Sequence, residues 1–358
     1  MKTSTIKKIL TTMLLVIIFA TTTIALISCL STSPDTDIDY NWYGEYVETT
    51  DTDGQTVEVS KNPTIAAFYD YASLDTLFGI TGDKFFEITG LKKIVVPSKE
   101  NLPDALGWFR DQPNTKVVSG GTLFYVDMDI LEGSQAQQII LGGRAFGQDS
   151  EGATVDSATG LAAAQKAMPN ARFIRLKVNT NDSKLTDDMT SNALALSTIF
   201  SNMSQRIIQT LNTTQKDIQE IGDIVRDKEL TGLFVMTPAT TTMSVFGPKS
   251  RFDMLYEEFG FKPAIDITDG GDQHGAEVSK ELILQVNPPV IFVLDRAETT
   301  GSESGFNNFA NDEIIKQTQA AKDGNIYKLS GDQWYTFTGG LRAVRTMIND
   351  IKQYTDQL

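Results

Sequence analysis

The stretch "ITDGGDQHGAEVS", residues 267–279, holds His274, the single histidine among 358 residues. Imidazole titrates near neutral pH and is a common metal ligand, so a lone histidine between glycines is a candidate for acid–base work or for metal ligation. The loop has neither helical nor strand periodicity, and polar glycine-containing loops are where binding groups are generally mounted. Cys29 is likewise the single cysteine. The rest of the chain can therefore hold no disulfide, no thiolate metal site and no cysteine nucleophile. G-x-S-x-G, Walker A, G-x-G-x-x-G and H-E-x-x-H patterns are absent, which removes the usual hydrolase, nucleotide and zinc-protease signatures. "DTDIDYN" and "DTDG" look like calcium-loop fragments but lack the glycine-x5-glutamate continuation, so they are expected to be a linker and a hairpin turn.

The N-terminus has the order of a secretory signal. Lys2, Lys7 and Lys8 precede an apolar run from Ile9 to Ala20, and small residues follow. Threonines interrupt the run and no basic stop-transfer flank follows it, which argues against a permanent transmembrane helix. Leu26-Ile27-Ser28-Cys29 resembles a bacterial lipobox, in which the cysteine is lipidated and becomes the new N-terminus. Residues 1–28 are thus expected to be a lipoprotein signal and 29–44 a lipidated cysteine with a short polar tether. Loss of the three signal lysines takes the formal charge from −15 to about −18, a balance that excludes tracking nucleic acid or lying on anionic lipid.

The elements that must position any site follow an α/β rhythm. "TIAAFY", "KKIVVP", "TKVVSG", "QQIILGG" and "ARFIRLKV" are strand-like, while "DYASLDTLFGITG" and "ATGLAAAQKAMP" carry helical spacing. Asp53-Gly54 marks a hairpin. From Met203 to Asp227, Ile207, Leu211, Ile218, Ile221 and Val225 recur at helical intervals. One amphipathic helix of about 25 residues, near 37 Å long, is expected there as a spine between two lobes. Beyond it, "TGLFVMTPA", "TTMSVFG", "PPVIFVLD" and "NIYKLSG" are expected strands. "SRFDMLYEEFG", "NDEIIKQTQAAKDG" and "TGGLRAVRTMINDIKQYTDQ" are expected helices. The expectation is two Rossmann-like α/β lobes, residues 45–202 and 230–358, joined by one backbone helix at 203–229.

Such a body resembles the helical-backbone solute-binding proteins of ABC importers, the class III arrangement. Three blocks, "VFGPKSRFDMLYEEFGFKPA", "DQHGAEVSKELILQVNPPVIFVLDR" and "AAKDGNIYKLSGDQWYTFTGG", occur in the order seen in ferric-siderophore-binding lipoproteins. They look most like the enterobactin- and petrobactin-type catecholate subgroup. The resemblance is close over 240–350 and looser over 56–110; over 150–230 it is one of helical character. It implies three arginines on an anionic ferric complex: Arg251 in "GPKSRF", Arg296 in "VLDR" and Arg144 in "IILGGRAF". At Arg144 the lead "LEGSQAQQ" departs from the family's pattern. It also implies that His274 and Tyr335, the latter behind Trp334, line the pocket and complete the iron coordination when the siderophore leaves positions open; Trp334 is expected at the cleft beside them, among the ligand-binding residues.

The chemistry is sound by itself. A ferric tris-catecholate carries about three negative charges, and guanidinium groups are permanently charged, weakly hydrated, planar donors. Each charge-assisted hydrogen bond contributes about 1.5–3 kcal/mol. Phenolate and imidazole are reasonable iron ligands, and capture through them should weaken as pH falls below about 6. The resemblance thus implies an extracytoplasmic, lipid-anchored monomer on the outer face of the cytoplasmic membrane. It would be no enzyme and would hold no cofactor of its own, taking an Fe(III)-siderophore and delivering it to a permease and its ATPase. Haem or cobalamin on the same scaffold, or a surface hydrolase with His274 as base, are the alternatives.

Overall fold

The computed structural model describes residues 44–178, 184–237, 243–267, 275–296 and 304–358. Cys29 and His274 lie outside the described residues. In "TIAAFY" successive side chains leave a strand on opposite faces. Ala66 and Phe68 accordingly enter one apolar cluster, and Ala67 and Tyr69 another. With both faces covered, such a strand belongs at the centre of a parallel sheet.

The hairpin comes first. Strands β1 (Glu45–Thr50) and β2 (Thr56–Lys61) pair antiparallel across the Asp53-Gly54 turn. The first sheet follows, from β3 (Ile65–Tyr69), β4 (Lys93–Val96), β5 (Val117–Ser119), β6 (Gln138–Leu141) and β7 (Arg172–Arg175). All run parallel, in the order β5-β4-β3-β6-β7. The second sheet holds β8 (Thr231–Thr237), β9 (Met243–Phe246), β10 (Lys262–Pro263), β11 (Ala276–Val278), β12 (Ile291–Asp295) and β13 (Ile326–Lys328). Its order is β11-β9-β8-β12-β13, with β10 beside β8. Here β8, β12 and β13 are parallel, while β9 runs antiparallel to both of its neighbours, β8 and β11.

The helix Ser204–Asp227 connects the two sheets and buries all five of the apolar residues that its periodicity marks. Thr214 fills the gap in that stripe, donating its hydroxyl to the Thr210 carbonyl at 2.8 Å. One core cluster runs through the molecule from Phe68 and Ile94 past Leu211 and Ile218 to Phe234 and Phe292. The inner faces of both sheets therefore share a single apolar interior with the bridging helix. Among the described residues no helix is long and apolar enough to cross a membrane.

Two expected helices are broken. "SRFDMLYEEFG" forms only a 3-10 turn at Asp253–Leu255, because Phe252, Met254, Leu255, Tyr256 and Phe259 are all buried and one helical face cannot present all five inward. "NDEIIKQTQAAKDG" divides into a 3-10 turn Ile315–Gln317 and a helix Gln319–Lys322. Thr318 causes the break: its hydroxyl donates to the Ile315 carbonyl at 2.7 Å and accepts from the Ala321 amide at 3.2 Å. A helix at Leu185–Ile199, not expected, packs on the bridging helix.

The final helix, Leu341–Thr355, packs against the bridging helix and also against helix Tyr71–Thr81 of the first half. Asp75, wholly buried, makes that junction. Arg342 pairs with it at 2.6 Å, and the Ala343 amide donates to it at 2.9 Å. Gly340 is required at the junction, since a Cβ there would stand 2.8 Å from the Asp75 carboxylate and 2.9 Å from the Ala72 carbonyl. Burial pushes the Asp75 carboxyl up and Arg342 pulls it back down. Arg342→Ala leaves an uncompensated buried charge and should cost about 3 kcal/mol in urea denaturation. Removing Lys216 from its exposed pair with Glu220 should cost far less, because water screens an exposed pair; equal losses would refute this account of the junction.

Candidate functional site

Ligands of open α/β sheets bind beyond the C-terminal ends of the strands, where strand order reverses. In the first sheet that point lies between β3 and β6. There β3 ends at Tyr69-Asp70 and β6 at Gly142-Gly143-Arg144. A Cβ on Gly142 would stand 3.0 Å from the Tyr69 carbonyl, so glycine allows the two chain ends to lie side by side. A cleft of about 340 Å³ opens here, lined by Tyr69, Asp70, Arg144 and Lys177 from the first sheet's end and by Arg251, Tyr335 and Thr336 from the second half.

Two of the sequence-predicted arginines, Arg251 and Arg296, meet at Tyr335. Arg251 lies with its guanidinium carbon 4.1 Å from the Tyr335 ring centre and donates from Nη2 to the Tyr335 carbonyl at 2.5 Å. Arg296, exposed at the end of β12, stands 5.7 Å from the same ring. Cations over an aromatic face are attracted by the ring quadrupole. Arg144, exposed in the opposite wall, stacks at 5.5 Å on Phe124. Burial holds the Arg251 guanidinium below the ordinary arginine value, Tyr335 raises it, and the charges of Arg144 and Arg296 lower it further. Arg251 thus lies within reach of the charges of both other guanidinium groups. Among the described residues no carboxylate lies within ion-pair distance of Arg144 or Arg251.

Local packing sets this geometry. Phe252, next to Arg251, is buried and stacks on Phe234 at 4.6 Å and 11°. That fixes the loop presenting Arg251. Tyr335 ends the short helix Gly331–Tyr335, whose start is tied to the final helix by Asp350. Asp350 accepts from the Ser330 amide at 2.8 Å and from the Trp334 indole at 2.9 Å. Trp334, grouped on sequence with the ligand-binding residues, is corrected here: it is 1% exposed and packs on Phe234 in the core. A buried indole needs an acceptor for its N–H, and Asp350 supplies it from inside. Trp334 therefore supports Tyr335 from behind instead of facing the cleft.

Sequence reasoning missed Asp70, Tyr71 and Lys177 in the cleft wall. Asp70 and Lys177 follow immediately on "TIAAFY" and "ARFIRL", so their signal was position at the end of a parallel strand. A second cavity, about 710 Å³, adjoins across Thr336 and is lined by Asn101, Asp104, Lys328, Ser330 and Asp332. Among the described residues no group of three or more His, Cys, Asp or Glu is placed to hold a metal ion.

Two α/β layers on one spine, with a charged cleft at their strand ends, define a solute-binding protein. The model of the periplasmic binding protein family matches residues 165–332. The petrobactin-binding protein YclQ of Bacillus subtilis (strain 168) is 29% identical over 296 residues, 82% of this chain and 83% of that one. Its crystal structure aligns with a TM-score of 0.68 at 26% identity, covering 87% of this chain and 99% of that. The ferric-anguibactin-binding protein FatB of Vibrio anguillarum is 26% identical over 136 residues, 37% of this chain and 41% of that one. The periplasmic catecholate-siderophore binding protein VctP of Vibrio cholerae shares the fold, with a TM-score of 0.70 at 20% identity over 86% of this chain and 100% of that.

Asp70 caps helix Tyr71–Thr81, accepting from the Ser73 amide at 2.7 Å. Burial pushes its carboxyl up to about 6. The folded state thus holds this proton more tightly than the unfolded chain, whose carboxyl titrates near 3.9. The resulting stability is full below about pH 4 and is lost as pH rises through about 6. Asp70→Asn keeps a good cap and removes the titration. Its stability relative to the native protein should rise between pH 4.5 and 7.5 by about 1–2 kcal/mol, allowing for solvent at the cleft wall. A pH-independent difference in urea midpoints would refute the assignment.

Proposed function

We propose that this chain is the extracytoplasmic binding component of an ABC importer and captures a ferric siderophore of catecholate type in the cleft. The observation carrying this reading is the convergence of Arg251 and Arg296 on Tyr335, with Arg144 lining the same cleft within reach of the Arg251 charge. Repelling guanidinium groups held together cost free energy that a compact polyanion returns on binding. The likeness to a petrobactin-binding protein over most of both chains supports the same ligand class. On this reading Arg251 bonds the catecholate oxygens, Arg144 closes from the first lobe, and Arg296 balances charge at the rim. Tyr335 and His274 would bind iron directly when the siderophore leaves two coordination positions open. On this reading the lobes are residues 45–202 and 230–358, joined by the bridging helix at 203–229, and the protein works as a monomer. Lipid on Cys29 would hold it on the outer face of the cytoplasmic membrane, beside the permease that receives the siderophore and the ATPase that drives transport.

Calorimetric titration of the domain following Cys29 with a ferric tris-catecholate, a ferric hydroxamate and cobalamin tests the reading. Saturable binding of the catecholate alone is expected, and Arg251→Met should weaken it about 10- to 100-fold. Binding of cobalamin or the hydroxamate without the catecholate would overturn the ligand class.

A further inference from the structure

Lys177 is the one ammonium in the cleft wall among the described residues. Its backbone is fixed on both sides. The amide donates to the Thr52 hydroxyl at 2.9 Å, and its carbonyl accepts from Asn192 at 3.1 Å. Thr52 in turn donates to Asn192 at 2.8 Å. The β1–β2 hairpin turn and helix Leu185–Ile199 thus clamp the strand end that carries Lys177. The stem runs beside Gly143, where an added Cβ would lie 3.5 Å from the Lys177 Cβ, one residue from Arg144. The ammonium, however, is turned to the hairpin: Nζ stands 2.6 Å from the Asp53 carboxylate.

We propose that Lys177 is a fourth cationic contact for the polyanionic ligand, and that Asp53 is an internal counterion which the ligand displaces. This rests on the reading of the cleft given above. The Lys177 and Asp53 side chains keep 26% and 44% of their surface exposed, so water screens the pair and little is lost when it opens. A lysine ammonium is a compact charge on a flexible four-carbon stem; it can swing while the clamped backbone stays put. Among the described residues, Arg144 and Arg251 have no carboxylate within ion-pair distance to act as such a rival. A ligand with one or two charges would be met by the arginines alone, whereas a more highly charged one would also draw Lys177 off Asp53. The hairpin turn thereby sets a charge threshold for capture.

Neither Lys177→Met nor Asp53→Asn removes the Thr52 hydrogen bonds that hold the segment. Two probes are titrated by calorimetry: a ferric tris-catecholate and inorganic pyrophosphate. Lys177→Met should weaken both about tenfold and reduce the dependence of affinity on salt. Asp53→Asn should strengthen both severalfold, and do so only while Lys177 is present. Unchanged affinity in Lys177→Met, or an equal Asp53→Asn effect with Lys177 absent, overturns the inference and leaves the arginine site standing. Lys177-dependent binding of pyrophosphate without any binding of the catecholate would support the inference and overturn the ligand class instead. If the native protein binds neither probe, both fall.

Discussion

The buried carboxylate of Asp75 fixes the distance between the two halves of the molecule. It takes up the Arg342 guanidinium and the Ala343 amide of the final helix at a point where Gly340 lets the backbones approach. The second half is thereby tied to the first twice, by the bridging helix Ser204–Asp227 and by the returning helix Leu341–Thr355. The apolar interior is continuous through both connections. Arg144 and Arg251, which come from opposite walls, share one field only because this distance is set. A pair buried to this degree earns its place as a constraint on geometry more than as a source of stability.

Bringing like charges together needs something to stand between them, and Tyr335 does so. Its ring faces two guanidinium groups, and its carbonyl takes a hydrogen bond from one of them. Its position is inherited in turn. The Gly331–Tyr335 helix is pinned by Asp350, whose carboxyl burial pushes up while Ser330 and Trp334 pull it down. The charge cluster is therefore supported by residues whose own polar atoms face inward, away from the ligand. This division lets the cleft surface change from one relative to another while its frame persists.

Much of the frame was legible in the sequence. Most strands of the first sheet carry short buried apolar runs, as in "IAAFY", "KIVV" and "QIIL", and the stripe Ile207 to Val225 marked the spine; both signals come from burial on a regular repeat. The short strands Lys262–Pro263 and Ala276–Val278 carry too few residues to show any period. The helix Leu185–Ile199 does carry one, through Leu185, Met189, Ala193, Leu196 and Ile199, but its threonines, serine and asparagine blur that stripe beside the longer helix that follows. Where "SRFDMLYEEFG" and "NDEIIKQTQAAKDG" were expected to be helical, tertiary burial and one threonine hydroxyl outweighed local spacing. At the site, the arginines and Tyr335 came from motif likeness. Asp70, Tyr71 and Lys177 depend on which strand ends adjoin, and no single stretch of sequence records that. Trp334 shows the reverse: adjacent to a cleft residue in the chain, it points to the other side of a short helix.

That orientation decides what the indole can sense. Sealed behind Tyr335 and hydrogen-bonded to Asp350, Trp334 is out of reach of collisional quenchers dissolved in water. Its emission can respond to the cleft only through space, by energy transfer to a molecule that absorbs where tryptophan emits. As an internal lamp it reports the colour of what is bound rather than the touch of it, so an intensely coloured metal complex would darken it and a colourless anion in the same place would leave it lit.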